Sequence, residues 1–181
     1  MNLKQRTAGM SPQELFNALK KSSGRRGLSA DLASYDPDTN PTVGDQMPDY
    51  SEIMSDSRIW ELTKFLLEEA IDTNTLYDIT TTGAYPTGSI TYSNIGLDGD
   101  AANGDATYAN RCAFCHGADG TAIPVDGSFS VGSFVRKKPY EVHHKVKFGQ
   151  PGTSMGSLLT HEADIRNMYK ALTNVTKYPD P

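Results

Sequence analysis

The chain is poor in cysteine and has no long apolar run. Its two cysteines, Cys112 and Cys115, lie three positions apart, so no disulfide framework is available to hold a fold together. A zinc site would need two more cysteines or suitably spaced histidines, and there is no further cysteine. No apolar run reaches the length needed to cross a bilayer, so no transmembrane segment is predicted.

Excess positive charge is also absent. The net charge is −5 at pH 7 and the isoelectric point is about 5.3, which argues against general nucleic-acid binding. Hydrophobic residues make up 37% of the 181 residues and the mean hydropathy is −0.50, as in a soluble globular protein. This length is enough for one or two small domains.

Both cysteines belong to one short motif, Cys112-Ala113-Phe114-Cys115-His116. This C-x-x-C-H spacing is the attachment signal of a c-type haem. Residues three apart share one face of a helical turn, so both thiols can bond to the two vinyl groups of one porphyrin. The next residue, His116, then becomes the proximal ligand of the iron. We therefore expect one covalently bound haem c.

Covalent haem attachment implies export, so a periplasmic or otherwise exported protein is expected. An export signal would show an apolar stretch behind its basic residues, and none follows Met1–Lys4. The expectation is that a signal was removed; the alternatives are that the chain is a fragment or that an N-terminal membrane anchor was lost.

The N-terminal part predicts two helices separated by a loop. Ser11 and Glu14 form a capping box at the start of the first helix. Residues 25–50 are rich in turn formers and predict an ordered loop. A second helix is predicted over 56–70, where Ile59, Leu62 and Leu66 form an apolar stripe. Its flanking aromatic residues include Trp60, the single tryptophan, which is expected to be a buried anchor.

The rest of the chain predicts a mostly helical, all-α protein with a boundary in the middle. Residues 1–73 form a small helical region, residues 74–97 a linker or short hairpin, and residues 98–181 the haem domain. In the haem domain, residues 103–105 are expected to cap the helix that leads into the motif, and residues 117–132 to be an open stretch. A helix over 139–147 and a last helix capped by Thr160 follow.

Residues 99–175 resemble a class I cytochrome c domain. The likeness consists of a helix ending in the C-x-x-C-H motif, the following Gly117, a Pro-Gly loop over 149–156 that carries Met155, and an amphipathic last helix. In that family the loop methionine is the sixth ligand of the iron, which implies Met155 here. Gly156 departs from the pattern, since the family often has proline there. The rival sixth ligands are His143 and, above all, His144.

A group of basic residues stands out in this acidic chain: Arg136, Lys137, Lys138, Lys145 and Lys147. It is interpreted as a docking patch for an acidic redox partner, as cover for the haem propionates, or as an ordinary solvated face.

The N-terminal region resembles the back half of a second cytochrome c domain without its haem motif. Its helix stripe at 59, 62 and 66 repeats the stripe at 165, 168 and 172, and Met47-Pro48 precedes it as Met155 precedes the last helix. We expect Met47 to bind no iron. The stripe is expected to pack on the helix beginning at Ser11, on the haem domain or on another chain.

The function expected from these features is one-electron transfer, by a carrier or an electron-entry subunit rather than by an enzyme. The alternative is a haem enzyme or gas-binding sensor with an open or exchangeable sixth ligand, which requires Met155 to be off the iron.

Overall fold

The computed structural model describes residues 3–20, 50–52, 54–83 and 89–181. These residues are mostly helical, as predicted, and include one small antiparallel sheet. The α-helices are α1 (Leu3–Thr7), α2 (Pro12–Lys20), α3 (Asp56–Lys64), α4 (Ala101–Arg111), α5 (Ala113–His116), α6 (Val131–Lys137), α7 (Pro139–Phe148) and α8 (Glu162–Leu172), and the strands are β1 (Asp78–Thr82) and β2 (Ser89–Ser93). No helix in the described ranges is long and apolar enough to cross a membrane.

The chain divides into two compact units. The first contains the described residues up to Asp72 together with Gly83, and the second contains residues 73–82 and 89–181. The predicted loop over 25–50 lies outside the described residues except for Tyr50, and Met47 lies outside them too.

The first unit is built on the packing of α2 against α3. The predicted capping box is confirmed at α2: Glu14 N–H donates to Ser11 Oγ at 3.2 Å, and Ser11 N–H donates to the Glu14 carboxylate at 2.8 Å. The predicted stripe on α3 packs on the apolar face of α2. The shared core consists of Leu15, Phe16, Leu19, Ile59 and Leu66. Of the three surfaces expected to cover the stripe, α2 is therefore one that does so.

The end of α3 departs from a regular α-helix. Residues Phe65–Glu69 form a π-helical turn, closed by a 2.9 Å hydrogen bond from Ala70 N–H to the Phe65 carbonyl. Trp60 stacks on Phe16, with ring centroids 4.2 Å apart, but 40% of its surface stays exposed. The expectation of a buried tryptophan is therefore met only on one face of the ring.

The segment over 74–97, predicted to be a linker or short hairpin, contains a hairpin, and both of its strands belong to the second unit. Strands β1 and β2 pair antiparallel, with Asp78 opposite Ser93 and Thr82 opposite Ser89. Just before β1, Leu76 and Tyr77 are each only 1% exposed. This burial makes Leu76 and Tyr77 part of the second unit's core, so residues 73–82 are not a free connector.

In the second unit, α4 crosses α8 at very close range. A Cβ on Gly104 would lie 1.9 Å from the backbone oxygen of Asn167, so only glycine permits this approach. The predicted cap at residues 103–105 is wrong: the N-cap is Asp100, whose carboxylate accepts from Ala102 N–H at 2.8 Å and Asn103 N–H at 3.0 Å. Gly104 serves the helix crossing and lies inside the helix.

Gly104→Ala should therefore strongly destabilise the second unit. Alanine favours a helix over glycine by about 1 kcal/mol, but a backbone clash at the crossing outweighs this gain. We expect the free energy of unfolding to fall by about 3 kcal/mol or more, measured by denaturant titration. Gly156→Ala is the matched control, because a Cβ there meets nothing within 4 Å. Equal stability of the two variants would contradict the close crossing.

Helix α6 occupies part of the stretch predicted to be open. Ser130 caps it, accepting from Ser133 N–H at 3.1 Å, and Phe134 and Val135 are buried on its inner face. Helix α7 begins at the predicted Pro139. The last helix, α8, has His161 rather than Thr160 as its N-cap residue, and His161 makes no side-chain capping bond. Four buried residues of α8 carry the predicted stripe: Ile165, Met168, Tyr169 and Leu172.

Candidate functional site

The C-x-x-C-H motif lies on a short turn between α4 and the following loop. Cys112 ends α4, and its carbonyl accepts from Cys115 N–H at 3.2 Å and from His116 N–H at 3.0 Å. The turn then stops at Gly117, where φ is +79°. A Cβ at Gly117 would lie 3.0 Å from the Ala122 side chain, so a glycine is favoured there both by its backbone and by space.

A buried tyrosine ties this turn to the body of the second unit. Tyr108 is 1% exposed, and its hydroxyl donates to the Gly117 carbonyl at 2.9 Å. Its ring packs edge to face on Tyr178, whose hydroxyl donates to Asp105 at 2.8 Å. Burial raises the pKa of Tyr108 above its usual range, so it remains a donor at neutral pH.

The orientation of the His116 ring is set by a backbone carbonyl. His116 Nδ1 lies 3.2 Å from the Ile123 carbonyl oxygen. Because a carbonyl only accepts, Nδ1 carries the proton in this hydrogen bond. Nε2 then keeps its lone pair and is free to bind a metal, which is the usual arrangement for metal-binding histidines.

The two cysteines have different surroundings. Cys112 is 7% exposed, whereas Cys115 lies on the surface. Burial, and next the neighbouring Cys115, raise the pKa of the Cys112 thiol to about 11. Cys112 is therefore a protonated thiol at neutral pH, and the two sulfur atoms lie at different depths of the same cleft.

Met155 is presented by a loop that hydrogen bonds hold in place. Its carbonyl accepts from Gln150 N–H at 2.9 Å, and its N–H donates to Thr153 Oγ1 at 3.1 Å. At the base of the loop, Gly149 has φ +81°, and a Cβ there would lie 2.9 Å from the Met155 oxygen. The loop thus has fixed geometry although Gly156 stands where the family often has proline.

The motif and the loop line one cleft. A cavity of about 430 Å³ is bordered by Cys112, Cys115, His116 and Met155, and its size suits a small-molecule or cofactor site. A smaller cavity of about 30 Å³ shares Cys112, His116 and Met155 with it and leads into the core. Its inner wall is largely apolar and includes Val125, Val131, Phe134, Val142, Val146, Leu158 and Met168.

This lining fits a haem. A covalently bound haem c needs an apolar wall, a nitrogen donor with a free lone pair, and two thiols beside it. The apolar wall is that of the smaller cavity, whereas polar side chains such as Arg111, Asp126 and Lys145 also border the larger one. Among the described residues, no group of three or more His, Cys, Asp or Glu side chains is placed to hold a bare metal ion. The side chains that the cleft offers to a cofactor are instead an imidazole, a thioether and two thiols.

The rival histidines do not line the cleft. His144 is exposed and packs against the Phe148 ring, with centroids 5.3 Å apart. His143 is 7% exposed, and its Nε2 has no hydrogen-bond partner. A second thioether does reach the inner cavity, that of Met168, which is 1% exposed.

The buried His143 should make stability depend on pH. Burial, followed by the nearby Lys147 and His144, lowers the pKa of His143 to about 4 from the usual histidine value of 6.5. Between these values the unfolded chain binds a proton that the folded chain does not. The contribution of neutral His143 to the free energy of unfolding is therefore fully present above pH 6.5. It falls by about 3 kcal/mol as the pH drops to 4.

Denaturant titrations of the holoprotein from pH 7 to pH 4 measure this slope. His143→Leu should flatten it, and His161→Leu, at an exposed histidine, is the control. An unchanged slope in His143→Leu would show that the acid sensitivity originates elsewhere.

The basic residues do not form one uniform patch. Arg136 is tied to the C-terminal segment, donating to the Leu172 carbonyl at 2.7 Å and pairing with Asp180 at 2.8 Å. Lys138 pairs with Asp126 at 2.5 Å. Lys145 reaches the cleft and donates to the Gln150 side chain. Lys137, which is exposed, and Lys138, which is half-buried, both lie over the Phe129 ring.

Sequence reasoning named the four predicted site residues that the structure brings to one cleft, but not the walls of that cleft. Ile123 was missed because it acts through its carbonyl, which leaves no mark on residue identity. Val131 was missed because it lies in the stretch over 117–132 that was predicted to be open, and Phe134 because no element was predicted between that stretch and Pro139. The sequence signal for the start of α6 was Ser130, a good N-cap residue, whose hydroxyl accepts from the N–H of Ser133.

Comparison with known proteins adds no further assignment: no protein-family model, no curated protein and no solved structure matches this chain.

Proposed function

We propose that this chain is an exported one-electron carrier of the class I cytochrome c type, with one haem bound covalently through Cys112 and Cys115. His116 would be the proximal ligand of the iron and Met155 the sixth ligand. The observation that carries the proposal is the single cleft lined by Cys112, Cys115, His116 and Met155, in which the Ile123 carbonyl leaves His116 Nε2 free for a metal.

The haem supplies one-electron chemistry at its iron, and the chain supplies its surroundings. The Ile123 carbonyl keeps the imidazole of His116 in one tautomer and one orientation. The Met155 thioether is a soft ligand, which favours the ferrous state and raises the potential. The apolar wall of the smaller cavity would make the surroundings of the iron less polar, which would also favour the less charged state.

The oxidised visible spectrum of the holoprotein tests the ligand pair. Ligation by His116 and Met155 gives a weak sulfur-to-iron charge-transfer band at the red end of the spectrum. A five-coordinate or bis-histidine haem lacks this band. Its absence, together with carbon monoxide binding by the wild-type reduced protein, would favour the haem enzyme or gas sensor instead.

Electrostatic docking of a redox partner rests on Lys137 and Lys138. Charge reversal at both positions should slow association with an acidic partner several-fold, and the effect should shrink as salt rises. Lys137 should contribute more, because Asp126 partly neutralises Lys138. Stopped-flow rates at several ionic strengths measure this.

Lys64→Glu is the control for net charge, since Lys64 is exposed and lies in the first unit. Equal slowing by Lys64→Glu would mean that only the total charge matters. If the association rate is the same in all these variants and at every ionic strength, the lysines form an ordinary solvated face.

A further inference from the structure

The loop over 117–123 leaves the C-x-x-C-H motif at His116 and returns to the same residue. Ala122 N–H donates to the His116 carbonyl at 3.0 Å, and the Ile123 carbonyl oxygen lies 3.2 Å from His116 Nδ1. The backbone and the ring of His116 are therefore both hydrogen-bonded to the far end of this loop. Because the Ile123 carbonyl belongs to the loop, the loop decides where the acceptor of the Nδ1 proton lies.

The near end of the loop is held from the interior by Tyr108, which is 1% exposed. The Tyr108 hydroxyl donates to the Gly117 carbonyl at 2.9 Å, and the same carbonyl accepts from Gly120 N–H at 3.3 Å. A Cβ on Gly120, where φ is +81°, would lie 3.3 Å from the Tyr108 hydroxyl oxygen. The first turn of the loop is thus folded closely around this hydroxyl.

The outer part of the loop lies in water. Gly120 is buried, but residues 118, 119 and 121–124 are exposed. Exposed loops with few buried contacts open at low cost in free energy. An opening that moved Ile123 would leave the Nδ1 proton of His116 to water. The hydrogen bond from Tyr108 opposes such an opening from the buried side of the loop.

We propose that the Tyr108 hydroxyl is a positioning group for His116: by holding the loop over 117–123, it keeps the Ile123 carbonyl where His116 Nδ1–H can donate to it. The proposal rests on the proposed haem function, in which His116 is a ligand of the iron. A hydrogen bond donated from Nδ1 makes an imidazole a stronger donor to a metal. A stronger donor favours the ferric state, so the Tyr108 hydroxyl would lower the reduction potential.

The role of the hydroxyl can be separated from that of the ring. The Tyr108 ring packs on Tyr178, with centroids 4.9 Å apart, and Tyr108→Phe keeps this ring. The variant also leaves the Gly117 carbonyl its hydrogen bond from Gly120 N–H. Tyr178→Phe is the matched control, because Tyr178 is also 1% exposed but its hydroxyl donates to Asp105 on α4 rather than to the loop.

The test measures two properties of the holoprotein: the solvent exchange of His116 Nδ1–H, by proton NMR of the reduced state, and the reduction potential. Tyr108→Phe should speed the exchange about fivefold, as for the loss of one ordinary hydrogen bond. Its reduction potential should rise, because the imidazole becomes a weaker donor. Tyr178→Phe should change neither property.

The possible failures of this proposal and of the haem function are distinguishable. If the wild type carries covalent haem but Tyr108→Phe has its exchange rate and potential, the positioning role is wrong and the haem function stands. Equal changes in Tyr178→Phe would also overturn it, since they would reflect a general loosening of the tyrosine pair. A wild-type chain without covalent haem would refute the haem function and this inference with it.

If Tyr108→Phe yields no holoprotein, the wild type provides the test. One opening of the loop should release both the Tyr108 hydroxyl proton and His116 Nδ1–H. Low concentrations of denaturant should therefore speed both exchanges by the same factor. Acceleration of the His116 proton alone would contradict the proposal.

Discussion

His116→Ala should abolish stable holoprotein, reducing its yield at least tenfold relative to the wild type. Among the described residues that line the cleft, His116 is the one imidazole, and its Nε2 is the nitrogen donor left free by the Ile123 hydrogen bond. Loss of an outer hydrogen-bond partner alone typically costs 10- to 100-fold in metal affinity, and loss of the ligand itself should cost more. Haem content per chain, from absorbance and protein mass, measures the effect.

The matched control for this change is His144→Ala, which removes an imidazole from the exposed surface of α7. It should leave haem content and spectrum unchanged. A His116→Ala protein with normal haem content and an unaltered spectrum would contradict the assignment of the proximal ligand.

Met155→Ala should give the second largest effect, of a different kind. The haem should remain attached, because the cysteines and His116 are untouched, but the sixth position should open. Carbon monoxide binding to the reduced protein should change from undetectable to stoichiometric, and the charge-transfer band of the oxidised protein should disappear. The reduction potential should fall with the loss of the soft sulfur ligand.

Two controls separate the possible sixth ligands. Met168→Leu replaces the other thioether that lines the inner cavity and nearly conserves volume, so it should leave the sixth position closed. His144→Ala should do the same. If Met155→Ala has no effect while one of these controls opens the site, the residue replaced in that control is the ligand.

The four residues that meet at the cleft could be named from the sequence because the chemistry predicted for them depends on residue type and spacing. Cys112, Cys115 and His116 form a local motif, and Met155 was implied by the resemblance of its Pro-Gly loop to the ligand loop of class I cytochrome c domains. The structure brings all four to one cleft. The hydrogen bond that fixes His116 was not predictable, because any residue at position 123 offers the same carbonyl.

The helices were predictable where a capping box and apolar periodicity agreed, as at α2, where a proline marks the first turn, as at α7, or where the apolar periodicity alone was clear, as at α8. Prediction failed where one residue type has two uses. Gly104 was interpreted as part of a cap, whereas it permits the close crossing of α4 and α8, a contact between residues distant in sequence. The hairpin could be identified from its strand composition, but its membership of the second unit depends on the burial of Leu76 and Tyr77.

The covalent bond between haem and chain is the central claim, and its direct measurement is haem content after denaturation. Protein made alongside the haem-attachment machinery should keep one haem per chain through acid–acetone extraction, and a denaturing gel stained for haem peroxidase activity should show the band. Intact mass should equal the chain plus one haem, and the double variant Cys112→Ala, Cys115→Ala should release it. Extraction of the haem from the wild-type chain, or a ratio near two haems per chain, would contradict the account.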